Sequence, residues 1–171
     1  MYLDKVITNV GLVISLYDII KIDGGLIHPG EGAPLFQCEF RLVVFKPVIG
    51  EVILGTISRC TAKGIQVSIG FFHDIFIPEH SLQVPSTYNE SESAWYWTFN
   101  DQDHWMEAGD TIRFKVQEVT FPAPPTPQEL HDAVTQGLPN PGTLENPFAP
   151  MLIQGNVFGD GLGMVSWWTQ D

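Results

Sequence analysis

Gly55-Thr56-Ile57-Ser58-Arg59-Cys60-Thr61-Ala62-Lys63-Gly64-Ile65-Gln66-Val67-Ser68 reads as a strand, a tight turn and a returning strand. Thr61-Ala62-Lys63-Gly64 is the turn, small residues ending in glycine between two runs rich in β-branched side chains. The next stretch, Gly70-Phe71-Phe72-His73-Asp74-Ile75-Phe76-Ile77-Pro78, adds a third short strand over 74–77, which Pro78-Glu79-His80 ends. The first strand extends back to 51, the second runs over 64–69, and two more are expected at 95–99 and 111–121. The polar run 83–94 reads as an insertion. Five short strands in about 70 residues predict a small closed or nearly closed barrel.

Upstream, residues 6–17 form a strand pattern broken by Gly11, and the Gly- and Pro-rich run 21–34 reads as a loop. Residues 36–46 alternate at period two: Phe36, Cys38, Phe40, Leu42 and Val44 share one face, Gln37, Glu39 and Arg41 the other. Pro47 and Gly50 mark a boundary, giving two domains, 1–48 and 49–171. Downstream, seven prolines fall between 122 and 147. A short helix over 128–135 is opened by Thr126-Pro127 as cap and first position. Residues 151–157 and 164–168 return to strand patterns, and Trp167-Trp168 calls for something to dock on.

Composition narrows the function classes. Hydrophobic residues are 44 % of the chain, enough for a core. No run of about 18 apolar residues spans a membrane, and the N-terminus lacks a signal-peptide pattern. Cys38 and Cys60 are expected as buried free thiols in strands, since no Cys-x-x-Cys or paired-His spacing supports a metal. Neither a metal nor another cofactor is expected. Asp101, Asp103, Glu107 and Asp110 fail the calcium-loop spacing and read as a solvated acidic loop. His28, His80, His104 and His131 have no evident metal partners. No Gly-x-Ser-x-Gly, His-Glu-x-x-His or Walker loop occurs, so no catalytic site is expected. Net charge is −12, and residues 122–171 hold five acidic and no basic residues. Nucleic acid must therefore be held by a local patch, because the global field repels phosphate.

The segment Gly55 to Ser68 resembles an S1-type OB fold, and Gly70 to Pro78 looks like the matching segment of the stalk subunits of nuclear RNA polymerases. Upstream, Asn9-Val10-Gly11-Leu12, Tyr17-Asp18, His28-Pro29-Gly30-Glu31-Gly32 and Phe40-Arg41-Leu42-Val43-Val44-Phe45-Lys46-Pro47 are similar to the tip domain of that family. Glu92-Ser93-Ala94-Trp95-Tyr96-Trp97 and Gly159-Asp160-Gly161-Leu162-Gly163-Met164-Val165-Ser166-Trp167-Trp168 resemble the polymerase III branch rather than its polymerase II and archaeal relatives. The resemblance implies a mainly β protein, with a truncated α+β tip domain packed against an S1-like OB barrel. It also implies a non-catalytic nuclear stalk subunit of RNA polymerase III. Its partners would be a second stalk subunit in a heterodimer, the polymerase III core, initiation factors and single-stranded RNA, with no membrane. Family members carry a further strand and helix ahead of the Asn9 segment, so the tip sheet is expected to show apolar surface.

OB barrels hold single strands on the face of their second and third strands, with rings stacking bases and cations holding phosphates. Arg59, Lys63, Phe71, Phe72 and His73 lie at the matching place, and Arg113 and Lys115, two apart on the last long strand, extend it. Alternation lets only one of Phe71 and Phe72 face outward. Trp95 and Trp97 share a face and are expected to plug the barrel or cover an edge. Two readings stand beside this one: a stalk module that only docks proteins, and a free S1-domain RNA-binding factor or hydrolytic enzyme.

Overall fold

The computed structural model describes residues 2–27, 29–30, 32–124, 126, 128 and 149–168. They divide into two units, Met1–Lys46 and Pro47–Asp171.

The first unit is one antiparallel sheet in the order β1-β2-β3, with β1 at Val6–Ile7, β2 at Gly11–Leu26 and β3 at Leu35–Phe45. Gly11 is required where β2 begins: its φ is +129°, and a Cβ there would sit 2.4 Å from the Phe45 carbonyl oxygen. β2 runs on through Gly24, into the stretch read from sequence as a loop. It does so because Asp23 and Gly24 pair with Gln37 and Phe36 of β3, and ladder pairing outweighs the low strand propensity of glycine. The β2–β3 ribbon carries four register shifts. Arg41 grips Asp18 through two hydrogen bonds, Nε to Oδ1 at 2.7 Å and Nη2 to Oδ2, and lies 5.0 Å over the Tyr17 ring. The period-two face of β3 is not buried: Phe36 is 54 % exposed, and Cys38 is exposed as well. The expectation of two buried thiols is thus corrected for Cys38.

The second unit is built around a barrel. Its strands are β4 Val52–Thr61, β5 Gly64–Ser68, β6 Ile75–Pro78, β10 Thr111–Thr120 and β11 Leu152–Asn156. β4 pairs with β5, β5 with β6 and β10 with β4, all antiparallel. β11 then pairs parallel with β6 and antiparallel with β10, so the ring closes. This five-stranded closure, with a parallel pair between the third and fifth strands, is the Greek-key barrel of an OB fold. Ile57, Val67, Ile75, Ile153 and Val119 stand on one row around the ring, and the first four are at most 1 % exposed. Ile65, Ile77, Ile112, Phe114 and Met151 are buried in this unit with no exposure at all. The sequence signal confined the cylinder to residues 51–121, but its fifth wall comes from beyond the proline-rich run.

Between β6 and β10 lie a 3-10 turn, Glu79–Ser81, and a three-stranded meander: β7 Ser86–Asn89, β8 Ala94–Phe99 and β9 Gln102–Met106. Much of the polar run 83–94 and of the expected acidic loop is therefore ordered strand, with Asp103 on β9 accepting from Thr98 Oγ1 at 2.8 Å. Trp95 is 2 % exposed, and its Nε1 donates to the Thr61 carbonyl at 2.8 Å, locking the meander to the end of β4. The last described elements are β12, Gly163–Met164, and a 3-10 turn, Val165–Trp167, where the sequence suggested one longer strand. The helix expected over 128–135 lies, apart from Gln128, outside the described residues. Among the described residues no helix is long and apolar enough to cross a membrane.

Candidate nucleic-acid interface

β5 supplies the middle of the outer face. Ile65 and Val67 point into the barrel, which turns Gln66 outward. Gln66 heads an outer row with Arg59 of β4 on one side and Phe76, Gln154 and Glu118 on the other. Yet Gln66 is only 4 % exposed, and its Nε2 donates to the His73 carbonyl at 3.3 Å. The His73 carbonyl, from the segment between β5 and β6, thus covers Gln66 at the centre of this face, while Arg59 beside it is exposed and Phe76 half-buried.

The accessible surface lies at one end of β5. A groove of about 420 Å³ runs between Leu54, Thr56 and Thr111 on one side and Ser68 and Gly70 on the other. Phe71, next to Gly70, is 56 % exposed. Ser68 Oγ accepts the Gly70 N–H at 3.1 Å and lies 2.7 Å from His73 Nδ1. The groove is thus lined by Leu54, two threonines and a serine, which can offer hydrogen bonds to a base, and it holds no Lys or Arg in its lining.

The seven residues singled out from sequence are scattered. Phe71 follows the groove's Gly70 in sequence and His73 Nδ1 lies 2.7 Å from its Ser68 Oγ, but neither lines it. Phe72 is 5 % exposed, so it is withdrawn as a surface contact; it lies with Phe71 in the connection between β5 and β6, where strand alternation does not apply. Arg59 is exposed at mid-face. Lys63 occupies the β4–β5 turn, the length of β5 away from Phe71, about 17 Å at ~3.4 Å per residue. Its carbonyl accepts from the Glu79 N–H at 3.1 Å. Arg113 pairs with Leu54 and so adjoins the groove, but it is half-buried and Nη1 donates to the Gly161 carbonyl at 3.1 Å. Lys115 is exposed further along β10, opposite Val52. Leu54, Thr56, Ser68 and Thr111 escaped the sequence reading. The outward phase of β4 marks Leu54 and Thr56, whereas the cross-strand neighbours that make a groove of them carry no local signal.

No cluster of three or more His, Cys, Asp or Glu side chains able to hold a metal occurs among the described residues. Cys60 does not substitute for one. Burial pushes its thiol up to about 11, the neighbouring charges of Asp110 and Glu107 add to the shift, and Sγ lies 3.5 Å from the Met106 carbonyl.

Comparison with known proteins adds an independent line. A family model described as RNA polymerase III subunit Rpc25 matches residues 51–168. The DNA-directed RNA polymerase III subunit rpc8 of Dictyostelium discoideum is 36 % identical over 184 residues, covering 98 % of this chain and 73 % of its own. Its counterpart from Bos taurus is 37 % identical, over 97 % of this chain and 82 % of its own. The DNA-directed RNA polymerase II subunit RPB7 of Saccharomyces cerevisiae is 38 % identical over 78 residues, only 46 % of this chain and 45 % of its own.

Proposed function

The chain belongs to the RNA polymerase III subunit Rpc25 family, and from that membership we propose that it is a non-catalytic stalk subunit of nuclear RNA polymerase III. It pairs with a second stalk subunit, docks on the polymerase core, meets initiation factors, and touches single-stranded RNA weakly through its barrel.

The observation that carries the partnership is the β2–β3 ribbon. Leu16, Ile19, Ile20 and Ile22 of β2 and Phe36 of β3 are each about half exposed or more. A ribbon of this kind is marginal alone in water, and an apolar surface of that extent marks a protein interface. RNA contact is supported by the polar groove at Ser68, by the exposed Phe71 that follows its Gly70, and by Arg59, exposed on the same strand as Leu54 and Thr56. Its weakness follows from a net charge of −12 and from the covered centre of the face at Gln66.

A docking-only module is the second reading. It is favoured by the burial of Phe72 and by the Arg113 hydrogen bond to Gly161. Anisotropy of labelled single-stranded RNA on the stalk heterodimer separates the two. Each phosphate contact contributes about −0.7 to the slope of log affinity against log salt. The RNA reading requires Arg59→Glu with Lys63→Glu to flatten that slope and Phe71→Ala to weaken binding at every salt. Salt-independent or absent binding leaves docking alone. Failure of large polymerase subunits to co-purify with the tagged chain would remove the subunit reading altogether.

A further inference from the structure

A second groove, of about 670 Å³, lies against the meander and the C-terminal turn. Its walls are aromatic: Trp97, His104, Trp167 and Trp168. Trp97 is the hub, with its ring centroid 5.0 Å from that of Trp167, 5.6 Å from that of His104 and 4.9 Å from that of Phe99. The walls are held in place. Trp168 Nε1 donates to the Leu162 carbonyl at 3.1 Å, and Gln83 Nε2 donates to that carbonyl at 3.2 Å and to the Val157 carbonyl at 2.7 Å. Gly163 permits the arrangement, because a Cβ there would lie 2.5 Å from the Trp167 ring and 2.8 Å from Gln83 Nε2.

Gln83 lines this groove and is 8 % exposed. Two carbonyl acceptors fix which way its amide faces. Oε1 is left buried with no hydrogen-bond partner among the described residues, an acceptor that gains from any donor brought to it. The groove also has a sign. Asp160 lines it, no Lys or Arg does so among the described residues, and residues 122–171 hold no Lys or Arg. A phosphate is repelled here, while a flat cation rich in N–H donors meets rings, an acceptor and a carboxylate together.

The geometry points to an arginine-docking groove: a guanidinium from a partner protein lies against the indoles of Trp97, Trp167 and Trp168, donates to Gln83 Oε1 and pairs with Asp160. Guanidinium suits the site better than ammonium because it is planar, stacks on indole and sheds water more readily. The groove shares no lining residue with the one beside Phe71, so the inference stands whether or not the barrel binds RNA.

The test is titration of the full chain with acetyl-Gly-Arg-Gly-amide, following the five tryptophan indole N–H resonances. Millimolar affinity is the scale for one residue cut from its partner. Trp97, Trp167 and Trp168 should shift saturably while Trp95, 2 % exposed, stays still. The lysine peptide should bind at least about fivefold more weakly, and Trp168→Ala should cost about tenfold. Asp160→Asn, at an exposed position that leaves the fold alone, should weaken binding severalfold. The proposal is overturned by no saturable shift, by equal response to lysine, by indifference to Asp160→Asn, or by tighter binding of adenosine monophosphate at the same indoles.

Discussion

Replacing Ile153 with alanine tests how the barrel closes. Ile153 is 1 % exposed on β11, with Ile75 of β6 and Val119 of β10 as its cross-strand partners. The change removes three carbons, about 2.4 kcal/mol of transfer free energy at ~0.8 kcal/mol per methylene. Neighbours pinned in two ladders cannot collapse into the gap, so a cavity contribution adds to this, and the total falls at about 3–4 kcal/mol. Urea unfolding followed by tryptophan fluorescence is the assay. All five tryptophans lie in the Pro47–Asp171 unit, so the signal reports on that unit alone. With a slope of about 2 kcal/mol per molar urea, the midpoint should drop by roughly 1.5–2 M. Gln154→Ala, on the outward phase of the same strand, is the control and should stay within about 0.5 kcal/mol of the parent. If Ile153→Ala costs no more than Gln154→Ala, β11 does not wall the core, and the closed barrel is refuted.

Iodoacetamide at neutral pH should alkylate the exposed Cys38 in the folded chain and spare the buried Cys60, as peptide mapping would show. The raised Cys60 value adds a pH signature: the contribution of the neutral thiol is complete below 9.0, declines as pH rises and is gone above about 11, so Cys60→Ala should flatten the stability profile in that alkaline window alone. Gly64→Ala should break the β5–β6 register, because φ is +148° and the new Cβ would lie 2.2 Å from the Ile77 carbonyl oxygen; at least about 3 kcal/mol should be lost, read as a collapse of the tryptophan-detected midpoint. Ile19→Asp with Ile22→Asp, both at exposed positions, should cut affinity for the second stalk subunit by about a hundredfold in titration calorimetry without moving that midpoint.

Parts of the fold could be read directly. The Thr61–Gly64 turn and the inward phase of Ile57, Ile65 and Val67 are local facts: turn chemistry lies in consecutive residues, and period two assigns every second side chain to one face. The same logic allowed one outward ring of the Phe71–Phe72 pair without saying which. Period two also grouped Phe36, Cys38 and Phe40 correctly, yet a shared face is not a covered face, and theirs is exposed. β2 continued through Gly24 because its ladder with β3 overrode a local loop signal.

From its order of residues alone, the chain determined a β-rich architecture, the first hairpin of a barrel, the family it resembles and an acidic balance that disfavours contact with phosphates. Tertiary structure alone decided that residues 152–156 close the ring, that Gln66 is roofed over, and that Gln83, Trp97 and Trp167 line one groove. The physical reason is range. Turns and alternation are written between neighbours, whereas ring closure and grooves depend on contacts between segments far apart in sequence, which exist only once the backbone has brought them together.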